Sequence, residues 1–319
     1  MVSVGIDLGG TGIKAALVDD QGRIIRKKTI PTGAERPWQP IMEDMTGLVS
    51  DLAKEEGLEA RELAGVGIGV PGTVDPERGE LIYACNLPGC RHMPLREEMK
   101  KALGLPLYLD NDANVAALGE SLYGAGGGQT RCSVMITLGT GVGGGVIIDG
   151  RIFAGAYHGG TELGHLVMRA GGEPCSCGRR GCWEAYSSAT ALIRNARRAA
   201  EAAPDSLLWK LCGRDLQKLD GKMVGEAADA GDQAASLVMK EYIQDLAIGL
   251  GNIYNIFQPE VLILGGGVSA RGEKLLRPLE KLLRPEIYGN DMSKVDIRIA
   301  TLGNDAGVIG AAALAMQGR

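Results

Sequence analysis

Three cysteines within eight residues, Cys175, Cys177 and Cys182 in the stretch PCSCGRRGCWEAY, are followed two positions later by an acid, Glu184. His165 lies ten residues before the first of them, in GGTELGHLVM, close to Glu162. One imidazole and three thiolates complete a tetrahedral zinc site with no position open to water, so such a centre is structural and does not act as a Lewis acid on substrate. The glycines of CxCGxxGC let the chain fold around a small centre. Free cysteines seldom gather on a polar loop rich in Gly and Arg instead of in a core. The pattern therefore assigns zinc to His165, Cys175, Cys177 and Cys182. A loop pinned by metal would hold Glu184 rigidly and orient His165 beside Glu162.

Two glycine turns come next, LGGTG at 8–12 and LGTGVGGG at 138–145. Each stands where a strand reverses, and such turns can aim several backbone N–H groups at one anion; taken singly, either is equally a tight hairpin. The spacing GxGxxG occurs at Gly139–Gly144 and again at Gly67–Gly72. A dinucleotide fingerprint must open a helix after its strand, whereas GVIIDGRIF is β-branched and GVPGTVD contains a proline. No GxxxxGK[ST] is present, which excludes a P-loop. LYLDNDANVAALGE reads as a strand, then Asp110, Asn111 and Asp112, then a helix. Acids at a strand's carboxyl end are placed to meet a ligand, and they serve equally well as helix caps.

The elements that must position these groups are of mixed α/β type. Val4–Ile24 and Val134–Ile152 share strand, Gly-rich turn, strand and a closing GRI, so one unit is used twice, as in two related α/β domains. Ile41, Met45, Leu48 and Leu52 recur at helical spacing. Helices are expected from Ser187 to about Ala203, from about Asp232 to Phe257, and over NDAGVIGAAALAMQ, the last capped by Asn304 or Asp305. Gly124 and Gly126–Gly128 suggest a mobile junction. The net charge of −5, with no long lysine or arginine run, argues against nucleic acid and an anionic membrane as partners. The uncharged stretch between Arg131 and Asp149 is broken by glycines and fits two strands better than a membrane span. An amino terminus that enters a strand at once, without an apolar leader, is expected of a cytoplasmic protein.

Taken together, DLGGTxxK at Asp7–Lys14, GVPGxVD at Gly69–Asp75, NLPG at Asn86–Gly89, DNDAN at Asp110–Asn114, LGTGVGGG, TELGH and CxCGxxGCxE resemble the ROK family of bacterial sugar kinases and repressors, within the actin-like or hexokinase-like superfamily. The resemblance spans essentially the whole chain. It implies two ribonuclease-H-like domains with an interdomain cleft: a small one of residues 1–118, joined by a C-terminal helix at about 303–319, and a large one of residues 119–302 with the zinc loop.

By the same resemblance, Asp112 is the catalytic base that takes the proton of a hexose 6-hydroxyl. Asn111, Glu162, His165 and Glu184 bind other sugar hydroxyls, Asn86 belongs to the same shell, and Gly72 offers backbone contacts. Asp7, Gly9, Gly10, Thr11, Lys14, Gly139, Thr140 and Gly141 surround ATP phosphates and Mg2+, while Gly265 and Gly266 bound the adenosine pocket. The implied partners are a sugar and ATP, in a homodimer or homotetramer. Glucose is the expected sugar; fructose, allose, mannose or N-acetylmannosamine, polyphosphate as donor, and a non-catalytic sugar sensor are the alternatives. A repressor is disfavoured because the first hairpin starts within the first few residues, leaving no helix-turn-helix domain. Cys90 stands where many relatives have Trp, and Thr161 where Gly is frequent.

Overall fold

The computed structural model describes residues 1–84 and 86–318. The chain opens as a meander of β1 (Val2–Leu8), β2 (Gly12–Asp19) and β3 (Ile24–Pro31), followed by α1 (Trp38–Glu55) and β4 (Leu63–Val70). A small antiparallel sheet of β5 (Thr73–Asp75), β6 (Glu80–Tyr83) and β7 (Arg91–Met93) leads to α2 (Leu95–Leu103), β8 (Leu107–Asn111) and α3 (Asp112–Tyr123). Then come β9 (Cys132–Leu138), β10 (Val142–Ile148), β11 (Arg151–Ile152), α4 (Glu184–Ser187), α5 (Ala189–Ala202), α6 (Leu207–Leu211), α7 (Gly221–Asp229), α8 (Gln233–Phe257), β12 (Val261–Gly265), α9 (Glu273–Leu283), β13 (Ile297–Ile299) and α10 (Ala306–Gln317).

Both large sheets have five strands in one pattern. The first runs β3-β2-β1-β4-β8 and the second β11-β10-β9-β12-β13, so each is ordered third, second, first, fourth, fifth. In the first, β1 pairs antiparallel with β2 and parallel with β4, and β4 pairs parallel with β8. The duplicated hairpin in the sequence is thus the start of a duplicated sheet. Glycines at 67–72 and 139–144 lead into strands and not helices, as the β-branched residues after them require.

Two compact units emerge: Met1–Met135 with Gly145–Thr161 and Ala300–Arg319, and Ile136–Gly144 with Glu162–Ile299. Residue 118, the expected end of the first domain, falls inside α3, whose helical hydrogen bonds continue to Tyr123. The first unit is closed by α10, which is apolar on all sides. Glycine lets it press on the sheet: a Cβ at Gly5 would lie 1.8 Å from the Val308 carbonyl oxygen, and one at Gly67 1.7 Å from that of Ala311. Asp305 occupies the N-cap position of α10 but makes no side-chain cap bond; its carboxylate pairs with Lys27 instead, 2.7 Å away.

In α1 the residues Ile41, Met45, Leu48 and Leu52 are all buried, each worth about 2 kcal/mol of apolar burial. The helical tract after Ser187 is divided at Ser188, whose extended backbone ends α4 and whose hydroxyl caps α5 through the Ala191 N–H. Gly124–Gly128 is no open linker. The fully buried Glu120 carboxylate accepts the N–H groups of Ala125, Thr301 and Leu302, and the Ser121 carbonyl accepts the Gly128 N–H. Small residues are needed there for close approach: a Cβ at Gly126 would lie 2.5 Å from the Ser121 Cα. Among the described residues no helix is long and apolar enough to cross a membrane.

Candidate active site and metal centre

In the first unit the chemistry gathers at the β8–α3 corner. Asn111 is the N-cap of α3: its Oδ1 accepts the Ala113 N–H at 2.9 Å and the Asn114 N–H at 3.3 Å, while its Nδ2 donates to the Gly72 carbonyl at 3.1 Å. The cap therefore falls to Asn111, and Asp112 begins the helix, where the dipole favours a negative charge. Asp112 also accepts the Ala113 N–H, at 2.8 Å. Beneath them Asp110 is 7% exposed, and its Oδ1 accepts the Asn111 N–H at 2.7 Å and the Asn114 amide at 2.8 Å. Burial raises the Asp110 carboxyl above the usual range, against the lowering effect of Asn114, the Asn111 N–H and the charge of His158.

The β1–β2 turn lies in the same unit. It is closed by the Gly9 N–H on the Gly12 carbonyl at 3.0 Å, and Thr32 braces it through its hydroxyl on the Gly9 carbonyl and its N–H on that of Thr11. At its base Asp7 and Lys14 are register partners and an ion pair at 3.3 Å; Lys14 also donates to the Asn304 carbonyl. A Cβ at Gly10 would lie 3.2 Å from the amide nitrogen of Asn86, so that side chain stands over the turn.

In the second unit Val142 is the meeting point. Its N–H donates to Oε2 of Glu184 at 3.1 Å, and its carbonyl backs onto Gly164, where a Cβ would lie 2.1 Å away. The short helical turn Leu163–His165, entered from Glu162, is thereby fixed against β10. Gly139 closes the β9–β10 turn on the Gly141 carbonyl at 3.0 Å, and α5 holds it through the Ala189 N–H on Gly139 and the Thr190 hydroxyl on Thr140. The Gly265–Gly266 loop passes directly beside it: Gly266 has φ 85°, and a Cβ there would lie 2.4 Å from the Leu138 carbonyl oxygen.

The four residues expected to hold zinc come together as a cluster that could hold a metal ion. Nδ1 of His165 is 3.6 Å from Sγ of Cys175, Sγ of Cys177 is 3.7 Å from Sγ of Cys182, and the four donor atoms all lie within 4.8 Å of one another. Zn–S bonds of about 2.3 Å and Zn–N bonds of about 2.0 Å at tetrahedral angles give S–S edges of about 3.8 Å and N–S edges of about 3.5 Å. The His165–Cys175 and Cys177–Cys182 distances are close to those edges, so the four residues fit a zinc ion. Burial, followed by the neighbouring thiols, pushes Cys182 up to about 12, whereas the Arg179 N–H lowers Cys177. A divalent metal bound among these thiols would deprotonate them and offset the repulsion between the resulting thiolates. The loop is anchored from behind by Trp183, fully buried against Gly249 with its indole N–H on the Asp245 carbonyl.

Each unit therefore assembles its own share of the expected groups. Asp7, Lys14, the Gly9–Thr11 turn, Asn86, Asn111 and Asp112 belong to the first, and Glu162, His165, Glu184, the thiols, the Gly139–Gly141 turn and Gly265–Gly266 to the second. Three contributors escaped the sequence reading: Asn114, Ser176 and the Val142 N–H. For Ser176 the one signal was its place between Cys175 and Cys177, two of the residues expected to hold zinc.

The sequence matches the ROK family over residues 3–318. It is 37% identical to a glucokinase of Thermotoga maritima over 98% of this chain and 96% of that one. It is likewise 37% identical to a glucokinase of Halalkalibacterium halodurans, over 98% of this chain and 94% of the other. The fold is similar to a ROK family glucokinase from Streptomyces griseus solved in complex with glucose and AMPPNP, with a TM-score of 0.80 and 36% identity over 99% of this chain and 100% of that one. On these matches, and with the duplicated sheets and the thiol loop in place, the chain belongs to the ROK family.

Proposed function

We propose that this chain is an ATP-dependent sugar kinase that transfers the γ-phosphoryl group of ATP to the 6-hydroxyl of glucose. The observation that carries the reading is the nearly full-length likeness to glucokinases. The geometry supports it with Asp112 at the head of α3 and Asn111 held on both sides of it.

Phosphoryl transfer asks a protein for position and charge neutralisation more than for covalent chemistry. In the proposed reaction Asp112 accepts the proton of the 6-hydroxyl as that oxygen bonds to the γ-phosphorus, and the bond from phosphorus to the β–γ bridging oxygen breaks to release ADP. Asn111, Glu162, His165 and Glu184 orient the sugar through its other hydroxyls, with Asn86 in the same shell. His165 serves twice: Nδ1 is the nitrogen beside Cys175, which leaves Nε2 for the sugar.

Gly9, Gly10, Thr11, Gly139, Thr140 and Gly141 line the phosphates: the N–H groups of Gly9 and Gly139 close the two turns, and those of Gly10, Thr11, Thr140 and Gly141 receive the phosphate oxygens, while Gly265 and Gly266 border the adenosine. One carboxylate paired with a lysine, Asp7 with Lys14, suits Mg2+ held largely through water, and the ion supplies neutralisation of phosphate charge when bound. Zinc, held by His165, Cys175, Cys177 and Cys182, supplies a rigid loop and no reacting water.

The test is ADP release with ATP and magnesium against glucose, mannose, fructose, allose, glucosamine, N-acetylglucosamine and N-acetylmannosamine. The highest kcat/KM is expected with glucose. Preference for another hexose would replace the substrate and keep the kinase; no turnover on any sugar by zinc-loaded protein would overturn the proposal.

A further inference from the structure

Glu184 carries a carboxylate whose two oxygens are held by different parts of the second unit. Oε2 takes the Val142 N–H at 3.1 Å, and Oε1 takes the Ser176 hydroxyl at 2.6 Å. The Cys175 thiol also reaches Oε1, at 3.5 Å, so the Ser176 hydroxyl is the nearer of the two side-chain donors on that oxygen. Val142 continues directly from the Gly139–Gly141 turn, and Gly141 is tied to the same carboxylate, since a Cβ there would lie 2.4 Å from Oε2.

We infer that Ser176 is a positioning residue for sugar binding: from between two metal ligands its hydroxyl sets the rotation of the Glu184 carboxylate, so that the metal loop delivers Glu184 to the sugar in one orientation. The inference rests on the proposed role of Glu184 as a sugar ligand and goes further by naming the group that aims it. Without the hydroxyl, the carboxylate turns about its remaining bond to Val142, which leaves the phosphate turn in place. A hydrogen bond to a charged acceptor is among the stronger ones in proteins, and its loss predicts a rise in KM for glucose of about tenfold.

The experiment uses the zinc-loaded, full-length chain and compares Ser176→Ala, Ser176→Thr, Glu184→Gln and the double variant Ser176→Ala/Glu184→Gln. Expected for Ser176→Ala are the raised KM for glucose, unchanged KM for ATP, kcat within about twofold, and unaltered zinc content and melting temperature. Threonine, which keeps the hydroxyl, restores the KM. In the double variant Ser176→Ala adds little to Glu184→Gln, because the two act through one carboxylate. Normal KM in Ser176→Ala alongside a raised KM in Glu184→Gln overturns the positioning role alone. Normal KM in Glu184→Gln overturns the sugar-ligand reading and the inference with it. Loss of zinc or of stability in Ser176→Ala, or no rescue by threonine, makes the serine a builder of the loop and also overturns the inference.

Discussion

The β1–β2 and β9–β10 turns are one backbone device put to two uses. Both reverse the chain through three residues and close on an N–H to carbonyl bond of 3.0 Å, Gly9 to Gly12 and Gly139 to Gly141. Their surroundings then part company. Counting from the turns, the Asp7–Lys14 pair of the first corresponds to Thr137 and Gly144 in the second, so only the first hairpin carries charge at its base. The first is braced by Thr32, the residue just after β3 of the same sheet; the second by Ala189 and Thr190 of α5 and, one residue on, by Glu184. Duplication supplied two three-residue turns. Divergence gave one an acid–lysine pair at its base, and tied the other to the Glu184 carboxylate.

Neither hairpin supplies a base in the proposed reaction, and the largest expected effect tests that. Asp112→Asn should lower kcat by about 10²–10⁴-fold, the usual worth of general-base catalysis, with KM for glucose little changed. Asp7→Asn should cost less, and higher magnesium should recover part of its loss. The two are ranked by steady-state kinetics with magnesium titrated; a larger loss at Asp7 would move the base into the charged hairpin.

The glycines sharpen the comparison at the next level. In Gly141→Ala the new methyl would fall 2.4 Å from Oε2 of Glu184, so the carboxylate must leave Val142, and KM for glucose at saturating ATP should rise about tenfold. In Gly139→Ala it meets nothing within 4 Å, and in Gly10→Ala it comes no closer than 3.2 Å to the free end of Asn86. Both should leave that KM within about twofold, as expected where no charged hydrogen bond is broken. Equal effects at Gly141 and Gly139 would mean that sugar binding does not depend on the bond between the second turn and the Glu184 carboxylate.

What could be read in the sequence is what repeats or clusters locally. The α1 stripe, the duplicated hairpin and the His165–Cys182 cluster are patterns within short windows, and the structure buries the first, duplicates the second and brings the four residues of the third together, where they could hold a metal ion. Asp232, the expected start of a long helix, caps α8 through the Ala235 N–H. The small sheet of β5, β6 and β7 left no such trace, because strands of three or four residues are too short for an alternation to register. The Glu184–Val142 bond joins residues 42 apart, and Glu120 reaches Thr301 across 181. No local periodicity encodes such contacts. For the same reason the glycines at 124–128 read as a loose joint: composition records small side chains but not the buried carboxylate that binds the turn.

The smallest expected effect concerns the acid beneath the corner. Asp110 keeps two hydrogen bonds through Oδ1, to the Asn111 N–H and the Asn114 amide, and an asparagine carbonyl can accept both. What Asp110→Asn removes is a charge that burial disfavours, against the partial compensation of those bonds and of His158. Because the folded carboxyl is raised above its unfolded value, folding takes up protons there. Its favourable contribution is full below the unfolded value of about 3.9 and is lost as pH rises through the raised folded value. Relative to wild type, Asp110→Asn should therefore melt at an equal or slightly higher temperature near pH 8, and the advantage should fade as pH falls towards the ordinary carboxylate range. Melting curves of both proteins across that interval decide it. A variant that is instead less stable at pH 8 would show that the ionised carboxylate holds the corner more tightly than its burial costs, and that Asn111 and Asp112 depend on its charge as well as on its shape.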